Sequence, residues 1–164
     1  MRYIDIAHGK RTADLAVVIG VKIGYESEEI INLKELATFH DIGKSIIPAR
    51  ILNKPGELSK TERKIIETHS IKSQTILLEN GFSESDCFIV RCHHEKLNGT
   101  GYPDGITEIP VKAQIITVAD IYDALTSHRG YRTKIFTNRE AIEIMENDSG
   151  INQEFVNILK CLVK

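Results

Sequence analysis

Apolar residues recur along this chain at intervals of three and four, the spacing of one helix face, and no stretch alternates strongly enough to read as a strand. Ile4, Ala7, Leu15, Val18 and Ile19 mark the inner face of a first helix, with His8 and Arg11 on or beside it and Gly20 and Gly24 loosening its end. A second helix starts at Ser27, ahead of Glu28 and Glu29. It carries Ile30, Leu33 and Ala37 inside, and its segment ends at Pro48. After the Lys54-Pro55-Gly56 turn, Ser59 and Glu62 form a capping box. That box opens a third helix with Ile65, Ile66, Ile76 and Leu77 inside and Gly81 as its stop. Ser83 to Asp86 starts another helix. A Gly- and Pro-rich loop covers 97–109, and Pro110 sits at the first turn of a long helix reaching about Ser127. Thr137 and Glu140 form one more capping box, Asp148 to Gly150 closes that helix, and a last short one covers 154–163. No linker or repeat divides the chain, so residues 1–164 read as one all-α domain of about six to eight helices.

Composition narrows the class. With 164 residues, 41% hydrophobic and 27% charged, the chain is long enough to bury a core without disulfide staples. Lys and Arg number 21 against 23 Asp and Glu, so the basic excess of a nucleic-acid duplex binder is missing. Cys87, Cys92 and Cys161 form no C-x-x-C pair and read as small buried or half-buried thiols of a reducing cytoplasm. No apolar run is long enough to span a membrane, and no secretory signal opens the chain.

The chemistry lies in the histidines and aspartates. His40 and Asp41 are adjacent near the end of the second helix, about 100° apart on its surface, so both can reach one cavity. Two carboxylate oxygens let Asp41 bridge two ions. Lys44, one turn on from His40, is either a solvated surface charge or a phosphate contact that neutralises developing charge. His69 lies on the inward face of its helix. His93 and His94 end a helix just before the glycine-rich loop, while Asp120 and Asp123 share a face in an apolar stretch where a carboxylate needs a cation or strong hydrogen bonds. These are all nitrogen and oxygen donors, suited to iron, manganese, zinc or related ions. Five histidines and two aspartates exceed what one ion with an open position needs, and paired metals commonly hydrolyse phosphate esters.

His40-Asp41, with His8 before and Asp120 after, resembles the HD superfamily of metal-dependent phosphohydrolases. The stretch 40–44 (HDIGK), followed by His93-His94-Glu95 and by 98–105 (NGTGYPDG), is similar to its HD-GYP branch, the cyclic di-GMP phosphodiesterases of bacterial signalling. Residues 8–11, 51–56 and 119–127 support the match, which covers roughly 4–136. The resemblance implies a helical bundle of the HD phosphohydrolase type with a GYP loop. One ion would be held by His8, His40, Asp41 and Asp120. The second would be held by Asp41, His69, His93 and His94, with iron or manganese foremost and zinc, nickel or cobalt as alternatives. By the same resemblance Lys44 contacts the scissile phosphate, and Asp123, Arg129 and Arg132 face the guanine or the far phosphate. Gly101-Tyr102-Pro103 is either a rigid turn or the contact for diguanylate cyclase (GGDEF) domains. Departures accompany the match. Ile4 stands where members with three metals carry a glutamate, which implies two ions here. His128 and Gly130 replace a common Asp and Pro, and the segment 106–109 is short. Alternatives to the phosphodiesterase are a cyclic-dinucleotide receptor or scaffold and a phosphohydrolase acting on another nucleotide.

Overall fold

The computed structural model of the chain describes residues 6–127 and 134–163. Within them lie α1 (Ile6–Lys22), α2 (Ser27–Phe39), a 3₁₀ turn (Ile42–Ile46), α3 (Ala49–Leu52), α4 (Lys60–Glu67), α5 (His69–Glu79), α6 (Glu84–Arg91), α7 (Val111–Thr126), α8 (Asn138–Glu146) and α9 (Gln153–Leu162). No strand occurs among the described residues. The nine α segments exceed the expected six to eight for two reasons: α3 is a single turn, and the expected third helix is split in two. Its break has a chemical cause. The Thr68 hydroxyl donates to the Ile65 carbonyl at 2.6 Å, and the His69 ring takes the Ile66 carbonyl, so two carbonyls leave the helical ladder together.

Capping was legible for α4, α6 and α8. Ser59, Ser83 and Thr137 accept from the amides of Glu62, Asp86 and Glu140. At α2 the cap is Glu26 rather than Ser27, and the Glu26 amide donates to the Glu29 carboxylate at 3.1 Å. Pro110 likewise sits one residue outside α7.

The inner face of α1 differs from the expected stripe. Ala7 and Val18 are exposed, while His8, Gly9, Thr12, Ala13, Ala16, Ile19 and Gly20 are buried. Close approach explains this: a Cβ on Gly9 would run into the Thr38 carbonyl, and one on Gly20 would meet Ile30 and Leu33. Small residues let α1 lie against α2, and large apolar ones would hold the two apart. α7 is buried nearly all round and packs on α1, α8 and α9, so it is the central post of the bundle. Ile19, Leu33, Leu36, Ile115, Met145 and Leu159 share the continuous core around it. Cys87 and Cys92 are buried free thiols, and Cys161 is exposed. No helix of the described residues is long and apolar enough to cross a membrane.

Candidate metal centre

Three of the histidines occupy the same kind of place. His40 follows the last residue of α2, His69 opens α5 at the break after α4, and His93 lies two residues past α6. Helix ends leave carbonyls without their usual i+4 amide partner. Each ring uses one: His40 Nδ1 bonds the Ala37 carbonyl at 2.7 Å, His69 Nδ1 the Ile66 carbonyl at 2.7 Å, and His93 Nδ1 the Val90 carbonyl. A carbonyl only accepts, so each Nδ1 carries the proton and each Nε2 presents a lone pair. Sequence reading found the three rings but not these carbonyls. The signal is a histidine at the end of a helix, three residues beyond a carbonyl that the helix cannot satisfy.

The lone pairs converge on Asp41. Its Oδ1 lies 3.1 Å from His69 Nε2 and 3.8 Å from His93 Nε2. Its Oδ2 lies 3.5 Å from His40 Nε2 and 3.7 Å from His8 Nε2. Asp120 Oδ1 closes the second group at 3.1 Å from His8 Nε2 and 3.8 Å from His40 Nε2. His94 joins the first group, its ring centroid 4.0 Å from that of His93 and 5.0 Å from that of His69. Two ligand clusters therefore share one carboxylate: Asp41 with His69, His93 and His94, and Asp41 with His8 and His40. The seven expected ligand residues come together. Lys44, far from being a free surface charge, places its ammonium on Asp41 Oδ2.

Two observations fit these clusters to cations. His40 Nε2 and Asp41 Oδ1 are buried with no hydrogen-bond partner, although other nitrogen donors lie near them. A buried polar atom is rarely left so without a cation or water to meet it. The electrostatics also prepare the groups as ligands. Burial pushes the Asp41 carboxyl up, but Lys44, His40 and the His69 and His93 rings outweigh it and hold the acid well below the usual range. Burial likewise raises Asp120, and His40 and His8 bring it well below. For His93, burial foremost lowers the imidazole to about 4 against the pull of Asp41; for His94, burial and the neighbouring His93 and His69 also lower the imidazole well below its ordinary value. Ionised carboxylates beside neutral imidazoles are the protonation state that metals require.

The surrounding backbone sets the spacing. Gly43 donates its amide to Ser73 Oγ at 2.8 Å, and a Cβ on it would press into the His69 carbonyl and the Ser73 nitrogen. Past His94, the buried Glu95 reaches forward. Its Oε1 accepts from the amides of Asp104 at 2.6 Å and Gly105 at 3.1 Å. Arg91 grips the Asp104 carboxylate with two bonds, and the Tyr102 amide donates to the His94 carbonyl. A Cβ on Gly101 would collide with the Glu95–Lys96 peptide. The Tyr102 ring therefore lies over His94, centroids 4.7 Å apart, and Gly101, Tyr102 and Pro103 are half-buried. Arg129 and Arg132 lie outside the described residues, as do Ile4, Asp5, His128 and Gly130.

Residues 5–152 match the family model of the HD domain. The chain belongs to the HD-domain family. Among curated proteins, this HD domain is 36% identical to 3'3'-cGAMP-specific phosphodiesterase 3 of Vibrio cholerae, over 86% of the chain and 31% of that protein. It is 35% identical to the cyclic di-GMP phosphodiesterase response regulator RpfG of Xanthomonas campestris, over 75% of the chain and 34% of that protein. The chain thus spans about a third of the length of these relatives. Among solved structures, the HDG"Y"P protein Bd1817 from Bdellovibrio bacteriovorus superposes with a TM-score of 0.76 at 21% identity, over 94% of this HD domain and 51% of that chain. The HD domain of the phosphodiesterase PgpH from L. monocytogenes gives 0.66 at 19% identity, over 96% and 88%. At such identities the two structures speak for the fold. HD-GYP relatives and HD-GYP motifs agree in this chain.

Proposed function

We propose that this HD domain, read as the whole of 1–164, hydrolyses the phosphodiester of cyclic di-GMP or a related cyclic dinucleotide to the linear dinucleotide, GMP, or both. The observation that carries the reading is Asp41, with one oxygen toward each of two ligand clusters. Two divalent ions, iron or manganese before zinc, nickel or cobalt, would be held by His8, His40, Asp41 and Asp120 on one side and by Asp41, His69, His93 and His94 on the other. When bound, such ions supply positive charge to the phosphoryl oxygens and to the attacking water. The chain's own contribution is placement. Five imidazoles with the Asp41 and Asp120 carboxylates fix the floor of the site. Lys44, one quarter exposed beside that carboxylate, stands where a scissile phosphate would gather charge. Arg129 and Arg132 would take the far phosphate or the guanine. The names of the relatives support a cyclic dinucleotide as substrate, and a cytoplasmic setting fits that chemistry and the free thiols. For the GYP loop we extend the reading to a docking face for diguanylate cyclase domains, supported by the exposure of Asp104, Gly105, Thr107 and Glu108 at its rim.

The test is turnover. Metal-free protein reconstituted anaerobically with Fe²⁺ or Mn²⁺ is expected to cleave cyclic di-GMP, 3'3'-cGAMP or both, and the metal-free protein to cleave neither. Metal-loaded protein that binds these dinucleotides without cleaving them would instead be a receptor. Cleavage confined to other nucleotides would make it a phosphohydrolase of a different substrate class.

A further inference from the structure

His8 is the one cluster histidine in the body of a helix. It lies near the start of α1, where the orphan groups are amides and the carbonyls are engaged along the helix. It therefore lacks the terminal carbonyl that orients His40, His69 and His93, and its Nδ1 needs an acceptor from elsewhere. Asp123 of α7 supplies the close, charged one: Oδ2 lies 2.6 Å from His8 Nδ1, with the Thr12 hydroxyl farther off at 3.3 Å. The same carboxylate takes Arg11 Nε on Oδ1 at 2.6 Å, Arg11 Nη2 on Oδ2 at 3.1 Å and the Ser127 hydroxyl on Oδ1 at 2.8 Å. An ionised carboxylate has about four lone-pair sites, and four donors fill them here.

We infer that Asp123, clamped by Arg11, is a positioning residue that holds His8 with its lone pair toward the first metal cluster, and that it is not a contact for the substrate base. This assignment rests on the metal-hydrolase reading and departs from the guanine- or phosphate-facing role that the family resemblance implies for Asp123. The geometry is specific. The Asp123 side chain is 3% exposed, with no lone pair left for a guanine amide or amine, while the Arg11 side chain is 44% exposed and closes the charge from the solvent side. Asp120, three residues earlier on α7, faces His8 Nε2, so one helix brackets both nitrogens of the ring. An amide at 123 keeps one acceptor oxygen where donors now use two, so an N–H must face either His8 Nδ1 or Arg11 Nε and Ser127, and the hold that keeps the His8 proton on Nδ1 is weakened.

The experiment uses the full chain, metal-free, titrated with Mn²⁺ by calorimetry, with ¹⁵N shifts of the His8 ring as a direct reading of its tautomer. Wild type is expected to take two ions. Asp123→Asn is expected to weaken one of them by about 10–100-fold, the range found for partners of metal-bound histidines, to leave the other unchanged and to shift the His8 tautomer. Arg11→Ala should give a smaller loss at the same ion, and Arg11→Lys, at a half-exposed position that leaves the fold intact, a smaller loss still. With both sites saturated, KM for cyclic di-GMP should stay within twofold while kcat falls. Asp123→Asn protein that binds both ions with wild-type affinity, yet shows a raised KM or an altered preference between cyclic di-GMP and 3'3'-cGAMP, would overturn the assignment and return Asp123 to substrate binding. Wild type that takes up no Mn²⁺ would overturn the metal reading and the assignment together.

Discussion

Asp41 and Lys44 are in direct contact, and that contact separates two jobs. The carboxylate serves the clusters; the ammonium balances it and faces the open side. Lys44→Ala is expected to lower kcat by about 10²–10³, the usual loss for one electrostatic contact to a developing oxyanion, while elemental analysis still counts both ions. Unchanged kinetics would reduce Lys44 to a counter-ion of Asp41. At this scale the residue types were legible, because buried histidines and aspartates have few other reasons to gather. The partners of each ring were not. Asp123 reads in the sequence as one more inward carboxylate, and only the approach of His8 and Arg11 across more than a hundred residues, with Ser127 one turn on, shows where its oxygens go.

Helix ends, more than helix faces, carry this site. Capping boxes at Ser59 and Thr137 could be read directly because their hydrogen bonds are local. The break at Thr68 could not, since apolar periodicity runs on through it and the cause is side chains competing for carbonyls. The buried stripe of α1 was hidden for another reason: helices that approach closely select small residues, which periodicity does not register. The loop after His94 is held mainly by Glu95, so Glu95→Ala should free the amides of Asp104 and Gly105. Hydrogen exchange at those two positions is expected to quicken at least tenfold. Glu95→Gln, which keeps an acceptor at Oε1, is expected to restore most of the protection. Equal protection in wild type and Glu95→Ala would transfer the loop's anchorage to Arg91.

For the molecule as a whole, candidate ligands drawn from α1, the end of α2, the start of α5, the end of α6 and the middle of α7 would make ion binding a tie between distant parts of the chain. An ion that binds the folded state alone at 100 times its Kd adds about 2.7 kcal/mol. Calorimetric unfolding with excess Mn²⁺ should therefore show a Tm higher by several degrees, and a chelator should reverse it. Acid acts on the metal-free protein through the same rings. His93 is lowered to about 4 in the folded chain, from an ordinary value of about 6.5. Between those values the unfolded chain binds a proton that the folded one refuses, so stability is intact above about pH 6.5 and declines toward pH 4. Each unit of depression is worth about 1.4 kcal/mol. A metal-free Tm that stays flat from pH 7 to pH 4.5 would contradict this. The helical class was legible from periodicity alone. The clasp of Lys96 and Leu97 onto Asp148 and Gly150, which ties the loop to the turn before α9, was not, because it joins two loops that carry no pattern.

Gly43 has no functional group, yet it governs the distance between the two halves of the site. The 3₁₀ turn that follows Asp41 rests on the backbone of α5 at the His69 carbonyl and the Ser73 nitrogen, and the clearance is one hydrogen atom wide. A single methyl group there acts as a wedge, forcing Asp41 and His69 apart without touching either side chain. Gly43→Ala should therefore mimic the loss of a ligand: Mn²⁺ binding at the His69 cluster weakened most, the His8 cluster affected less and only through Asp41, and helical circular dichroism unchanged. Seen from a mutational survey scored on activity, position 43 would rank beside the histidines. An inventory of donor atoms would leave it out, because the tolerance of this site is machined into the main chain.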